Sequence, residues 1–127
     1  MSTDRSAVTI RKAEPADGPV IIGLIQALAD YESLDPPDES ACTRLVADAF
    51  AERPRFDVYL AQVPGGPVVG YAFVFETYST FLALPTLYLE DIFVLPEHRS
   101  LGAGRALFRH VIAEADRRGC GRLDWMV

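Results

Sequence analysis

One strand, apolar along most of its length and followed at once by a glycine turn and a helix, leaves few folds open to this chain. Residues 87–95 read Leu-Tyr-Leu-Glu-Asp-Ile-Phe-Val-Leu. A strand rich in apolar residues on both faces belongs inside a covered sheet. The chain then turns through Gly102 and Gly104. Leu107, Phe108, Val111, Ile112 and Ala115 follow at helical spacing, ended by Arg117-Arg118-Gly119. Residues 123–127 open another strand. Strand, turn, helix and strand form a crossover unit, expected right-handed, that sets two parallel strands in one sheet.

The rest of the chain is read around that unit. Residues 8–11 form a short first strand. Glu14-Pro15-Ala16-Asp17 starts a helix, on which Ile21, Leu24, Ile25 and Leu28 share a face and which ends near Tyr31-Glu32. Asp35-Pro36-Pro37-Asp38 breaks the chain. Cys42, Leu45, Val46, Ala49 and Phe50 mark a second helix over residues 39–52, stopped by Arg53-Pro54. Residues 56–63 and 68–78 form a hairpin about Pro64-Gly65-Gly66-Pro67. Residues 79–86 read as a loop with exposed Phe81 and Leu82. The order β-α-α-β-β-β-α-β implies an α/β (α+β) fold. Its central sheet is mixed and mostly antiparallel, with helices on both faces. With 127 residues, the chain fits one domain, 1–127.

Composition narrows the function classes. Half the residues are hydrophobic and the formal net charge is −6. A nucleic-acid partner would ask for a basic face, so none is expected. The polar start does not read as a signal peptide, and no apolar run is long enough to cross a membrane. A cytoplasmic protein is the expectation. Cys42 and Cys120 read as incidental thiols. His98 and His110 lack metal-ligand spacing, so no metal is expected. No Gly-x-Ser-x-Gly supplies a hydrolase nucleophile.

Glu90 and Asp91 interrupt the apolar strand. Strict alternation places Glu90 with Tyr88, Ile92 and Val94, and Asp91 with Leu89, Phe93 and Leu95. Two readings stay open from the pattern alone. The acids mark a solvated strand end, or one of them lines a cleft with its pKa raised by desolvation and accepts a proton there. The turn is equally open. Glycines before a helix N-terminus allow an anion to approach, and they also make an ordinary turn. A P-loop is ruled out, because no Gly-x4-Gly-Lys-Ser/Thr occurs. A dinucleotide fingerprint fails because Leu107 stands where its third glycine is needed.

Taken together, Arg99-x-x-Gly102-x-Gly104 after this strand resembles the GNAT acetyltransferase superfamily. Leu87-Tyr88-Leu89-Glu90-Asp91-Ile92-Phe93-Val94, with Tyr31-Glu32 upstream and residues 75–81 before the strand, is similar to its spermidine/spermine branch and that branch's thialysine-acetylating relatives. The resemblance implies acetyl-CoA as co-substrate and a small primary amine as acceptor. It implies that Ile92, Phe93 and Val94 pair with the pantetheine arm. Arg99, Ser100, Leu101, Gly102, Ala103, Gly104 and Arg105 would hold the pyrophosphate. It makes Glu90 the base. Tyr31, Glu32, Glu90, Asp91, Asp124 and Trp125 would line the acceptor site, although Trp125 as a bare pattern reads as core. A homodimer is common in the branch.

Two departures bear on that reading. Tyr78-Ser79-Thr80-Phe81 lacks the acid and tryptophan of the polyamine enzymes, which favours a shorter, thialysine-like or diamine acceptor. Family members also continue past residue 127 with a helix whose tyrosine acts as general acid. The expectation is therefore a C-terminally truncated domain, in which the alternative is a non-catalytic CoA-binding or partner-binding module.

Overall fold

A computed structural model describes residues 7–126. Five strands form one sheet in chain order: β1 (Thr9–Lys12), β2 (Asp57–Gln62), β3 (Val68–Ser79), β4 (Leu84–Val94) and β5 (Arg122–Trp125). The first three pairings are antiparallel and β4–β5 is parallel. The helices are α1 (Gly18–Tyr31), α2 (Glu39–Ala49) and α3 (Ala103–Arg117). This is the mixed, mostly antiparallel sheet that the element order implies.

Local chemistry explains the helix starts. Asp17 accepts the Glu14 N–H at 2.7 Å and pairs with Arg11, which sets the turn before α1. Asp38 caps α2 by accepting the Ala41 N–H at 2.8 Å. The two faces of the sheet are then covered separately. Ala103, Leu107, Val111 and Ala115 of α3 pack on Tyr59, Ala72, Val74, Leu87 and Leu89. Ile21 and Leu24 of α1 pack on Val58, Leu60, Tyr71 and Phe93 on the other side. Each fully buried Leu or Ile here contributes about 1.5–3 kcal/mol relative to exposure.

Several boundaries differ from the sequence reading. β4 begins at Leu84, so the expected loop over 79–86 shrinks to a tight turn over residues 80–83. Ser79 closes that turn by accepting the Ala83 N–H on its carbonyl and the Leu82 N–H on its hydroxyl. Phe81 is fully exposed there, as the pattern suggests. α2 stops at Ala49 rather than running to residue 52, because Phe50 leaves helical geometry and packs against the α1-side core. The last strand is described only through Trp125, and Val127 lies outside the described residues.

The alternation assumed for β4 also fails. Phe73 of β3 stands opposite Asp91, and its neighbour Val74 stands opposite Leu89, which leaves Glu90 as an extra residue. This is a β-bulge. Leu87 and Leu89 face α3, but beyond the bulge Phe93 faces α1 and Val94 faces α3. Asp91 therefore shares a face with Phe93 and not with Leu89. The set proposed for Glu90 is likewise split, since Tyr88 lies opposite Leu89 and pairs with Phe75.

Candidate active site

The parallel ladder between β4 and β5 ends at Leu89–Trp125. Beyond that point, among the described residues, the β5-side edge of β4 from 90 to 94 has no strand partner. A cleft of about 610 Å³ opens there. Ile92, Phe93 and Val94 form its β4 wall, and Arg99, Gly102, Gly104, Arg105 and Phe108 form the opposite wall. Tyr31, Glu32 and Leu28 close it from the α1 side. Nine of the residues proposed from sequence thus meet in one hollow: Tyr31, Glu32, Ile92, Phe93, Val94, Arg99, Gly102, Gly104 and Arg105.

The turn that forms the wall is built for close approach. Residues Pro96–Leu101 make a 3-10 turn, and Gly102 then takes φ 74°, a left-handed conformation that favours glycine. Among the described residues no side chain caps α3, which leaves its first amides, at the cleft wall, without an acceptor from a cap. A Cβ on Gly104 would sit 3.7 Å from Val94 Cγ2, an ordinary contact. Packing within the protein therefore does not demand a glycine at 104, and a ligand in the cleft would. The side chains of Ser100, Leu101 and Ala103 do not line the cleft: Ser100 is exposed, while Leu101 and Ala103 join the α3-side core.

Arg99 ties the walls together. Its Nε donates to the Val94 carbonyl at 3.1 Å and its Nη1 to the Tyr31 hydroxyl at 3.2 Å. Its guanidinium lies 4.5 Å from the centre of the Tyr31 ring and 5.8 Å from that of Phe93. With Arg105 nearby and the positive end of α3 between them, this end of the cleft suits a polyanion. The donor set and the room above Gly104 fit the diphosphate of a coenzyme A.

Glu90 sits one wall away. It lines a smaller hollow of about 260 Å³ with Leu89, Ile92, Phe108, Trp125 and Met126. Ile92 and Phe108 belong to both hollows. Trp125 is half exposed and meets Phe108 edge-on at 5.6 Å, so it is a wall of this hollow rather than core. Glu90 itself is exposed. Desolvation falls on Asp91 instead. Burial pushes the Asp91 carboxyl up, the Tyr71 hydroxyl donating at 3.2 Å pulls it back, and the charges of Glu90 and Glu32 push it up again. Asp124 lines neither hollow and pairs with Arg122 at 3.4 Å.

Sequence reasoning missed Phe108, which it placed in the apolar stripe of α3. The spacing held the signal: Phe108 lies four residues after Gly104, one turn along the same helix face. Leu28, read only as part of the apolar stripe of α1, was also missed as a lining residue. Among the described residues, no group of three or more His, Cys, Asp or Glu side chains could hold a metal ion. Among them, too, no helix is long and apolar enough to cross a membrane.

The model of the acetyltransferase (GNAT) family matches residues 19–127. The chain belongs to the GNAT family of acetyltransferases. It is 37% identical over 130 residues to a thialysine N-epsilon-acetyltransferase of Bos taurus, covering 93% of this chain and 76% of that protein. It is 32% identical over 124 residues to the human spermidine/spermine N(1)-acetyltransferase-like protein 1, covering 93% of this chain and 18% of that one. The crystal structure of a probable acetyltransferase superposes with a TM-score of 0.84 at 18% identity, over 94% of this chain and 78% of that one, which shows a shared fold. Acetyl transfer from acetyl-CoA is the chemistry of the family.

Proposed function

We propose that the protein moves the acetyl group of acetyl-CoA to a primary amine of a small cationic acceptor, of thialysine-like or diamine type in preference to a long polyamine. Residues 1–127 act as one domain in this reading, in the cytoplasm. The observation that carries it is the cleft itself. An unpaired strand edge faces a glycine turn and two arginines, with a carboxylate in the adjoining hollow. Two further facts support the choice of acceptor. The Ser79-Thr80-Phe81 stretch lacks an acid, and the relative at 37% identity is named for thialysine.

Acetyl-CoA, when bound, supplies an acyl thioester. The amides of Gly102, Ala103, Gly104 and Arg105 and the guanidinium groups of Arg99 and Arg105 hold its diphosphate. The outward backbone of Ile92 and Val94 offers hydrogen bonds to the pantetheine arm as an added strand, while the Phe93 backbone is turned toward β3 and contributes its side chain to the wall. The acceptor arrives protonated, because an unperturbed alkyl amine has a pKa of about 10.4. Glu32, Glu90 and Asp91 attract it, with Tyr31 and Trp125 as walls. Glu90 then takes the proton, by way of water given its exposure, so that the neutral nitrogen could attack the thioester carbonyl. The C–S bond would break as C–N forms, and coenzyme A would leave as the thiol, with the nitrogen's second proton passed to it through water. Asp124, held by Arg122, contributes at most a distant negative field.

The test is a thiol-release assay with acetyl-CoA against thialysine, lysine, putrescine and spermidine. CoA release with thialysine or a diamine above spermidine supports the reading. A protein that acetyl-CoA stabilises to heat, but that releases no CoA with any amine, is a CoA-binding module instead.

A further inference from the structure

Tyr71 lies on β3 with none of its surface exposed. Its ring meets Phe93 at an edge-on angle with 6.5 Å between centres, and its hydroxyl donates to Asp91 Oδ2 at 3.2 Å. A phenylalanine would fill the same space and lack only the donor. The bulge at Glu90 makes the bond possible. Without the extra residue, Asp91 would share the face of Leu89, against α3 and away from Tyr71.

We propose that Tyr71 is a positioning residue of the acceptor site: its hydroxyl holds Asp91 on the α1 face as a charged carboxylate and, by pinning the bulge, keeps Glu90 directed at the hollow beside Phe108 and Trp125. This rests on the reading of the protein as an amine acetyltransferase. The charged groups that act on Asp91 are two carboxylates: Glu90, its neighbour on β4, and Glu32, which follows the end of α1. Burial and the two glutamates favour the neutral acid, and the Tyr71 hydroxyl opposes them. Tyr71 thus supports the ionised form that a cationic acceptor requires. Its own proton is secure, because burial and then the charge of Asp91 raise the phenol far above its ordinary range.

The test reads the Asp91 carboxyl directly. Carboxyl carbon resonances are titrated by NMR in the wild type and in Tyr71→Phe, with Asp91→Asn assigning the signal. The midpoint of Asp91 moves up by about one pH unit when the donor is lost. An unchanged or lower midpoint overturns the proposal, whether or not the protein turns over any amine. In kinetics, Tyr71→Phe raises KM for thialysine about fivefold to tenfold and leaves KM for acetyl-CoA unchanged. The acidic limb of kcat/KM moves to higher pH, and the effect vanishes in an Asp91→Asn background. Equal losses for both substrates, or a shift of the acidic limb that persists in Asp91→Asn, mean a packing role and overturn it. Failure of the functional reading is distinct: the wild type then releases no CoA, while the Asp91 midpoint still responds to Tyr71.

Discussion

The two ends of α3 treat charge in opposite ways. At the C-terminal end Arg118 reaches three carboxylates: Asp57 at 2.6 Å, Glu114 at 2.8 Å and Glu76 at 3.0 Å, and its Nη2 also meets the Tyr59 hydroxyl. Arg117 pairs with Glu114 and Lys12 with Asp57. Together, first through Arg117 and then through Arg118, these partners hold Glu114 down to about 2. At the N-terminal end, among the described residues, no side chain caps the helix, and the buried acid nearby, Asp91, is held by a tyrosine in place of an arginine, so its pKa moves up instead of down. Carboxylates locked to arginines hold the fold together. In the proposed reading, a carboxylate left with a neutral partner near the cleft adds its charge to the acceptor site.

The largest effect should fall on the open end. Glu90→Gln removes the proposed base, and general bases contribute about 10²–10⁴-fold. We expect kcat to fall by at least about a hundredfold, with KM for acetyl-CoA unchanged. The loss should be greatest at low pH and shrink as pH approaches the pKa of the amine itself, where the acceptor needs no help to deprotonate. A pH–rate profile that keeps its shape in Glu90→Gln removes Glu90 from the base role and breaks the contrast between the two ends.

The closed end is sharpened by Arg118→Ala. Asp57 and Glu114, at 17% and 12% side-chain exposure, would keep only Lys12 and Arg117, whose own side chains are largely exposed. Stripping one partner from a buried pair costs about 3–5 kcal/mol, and the partial exposure here lowers the expectation to about 2–3 kcal/mol by urea denaturation. The pH dependence has a definite sign. Glu114 has a depressed pKa in the folded state, so its contribution is present above its unfolded value of 4.5 and is lost as pH falls toward about 2. The deficit of Arg118→Ala should therefore narrow across that window. A deficit constant from pH 6 to pH 2 would mean that lost packing, not lost pairing, is being measured.

These contrasts mark how far the sequence could be read. Element order was legible because hydrophobic period and glycine or proline breaks repeat along the chain, and the cleft walls were legible because Arg99, Gly102 and Gly104 are local to one turn. What depended on distant pairing was not. The bulge at Glu90 exists only in the register of β4 against β3, so alternation along β4 alone misassigned Asp91. Leu84-Pro85-Thr86 looked like loop, yet Pro85 fits the strand: it stands opposite Tyr78, and its carbonyl accepts the Gly121 N–H at 2.8 Å. Arg118 read as a helix end, because three of its partners, Asp57, Tyr59 and Glu76, lie more than forty residues away.

Asp91→Asn should move stability in the direction opposite to Arg118→Ala. A carboxyl whose folded pKa is raised favours the fold below its unfolded value of 3.8 and weighs against it as pH rises through the folded value. Asparagine removes that charge and keeps an oxygen for the Tyr71 hydroxyl. The variant should melt a few degrees higher at pH 7, about 1 kcal/mol, with the gain fading toward pH 3, while KM for the amine rises. A protein destabilised by Asp91→Asn at pH 7 would place Asp91 with the structural acids of the closed end.

The smallest effect separates a glycine kept for a ligand from one kept for the fold. A Cβ at Gly70 would lie 2.7 Å from the Phe93 carbonyl oxygen, a backbone atom that cannot move aside, so Gly70→Ala must distort the β3–β4 pairing. At Gly104 the same atom meets only Val94 Cγ2, at 3.7 Å. Alanine is the better helix former, so Gly104→Ala should leave stability unchanged or raise it by up to about 0.5–1 kcal/mol. What it should lose is the coenzyme: the added methyl group stands above the first amides of α3, where a diphosphate would lie. The melting-temperature rise that acetyl-CoA gives the wild type should shrink or disappear in Gly104→Ala, although the free protein is as stable as before. If Gly104→Ala binds acetyl-CoA as the wild type does, the open end of α3 is not where the diphosphate sits, and the asymmetry between the two ends of the helix loses its functional meaning.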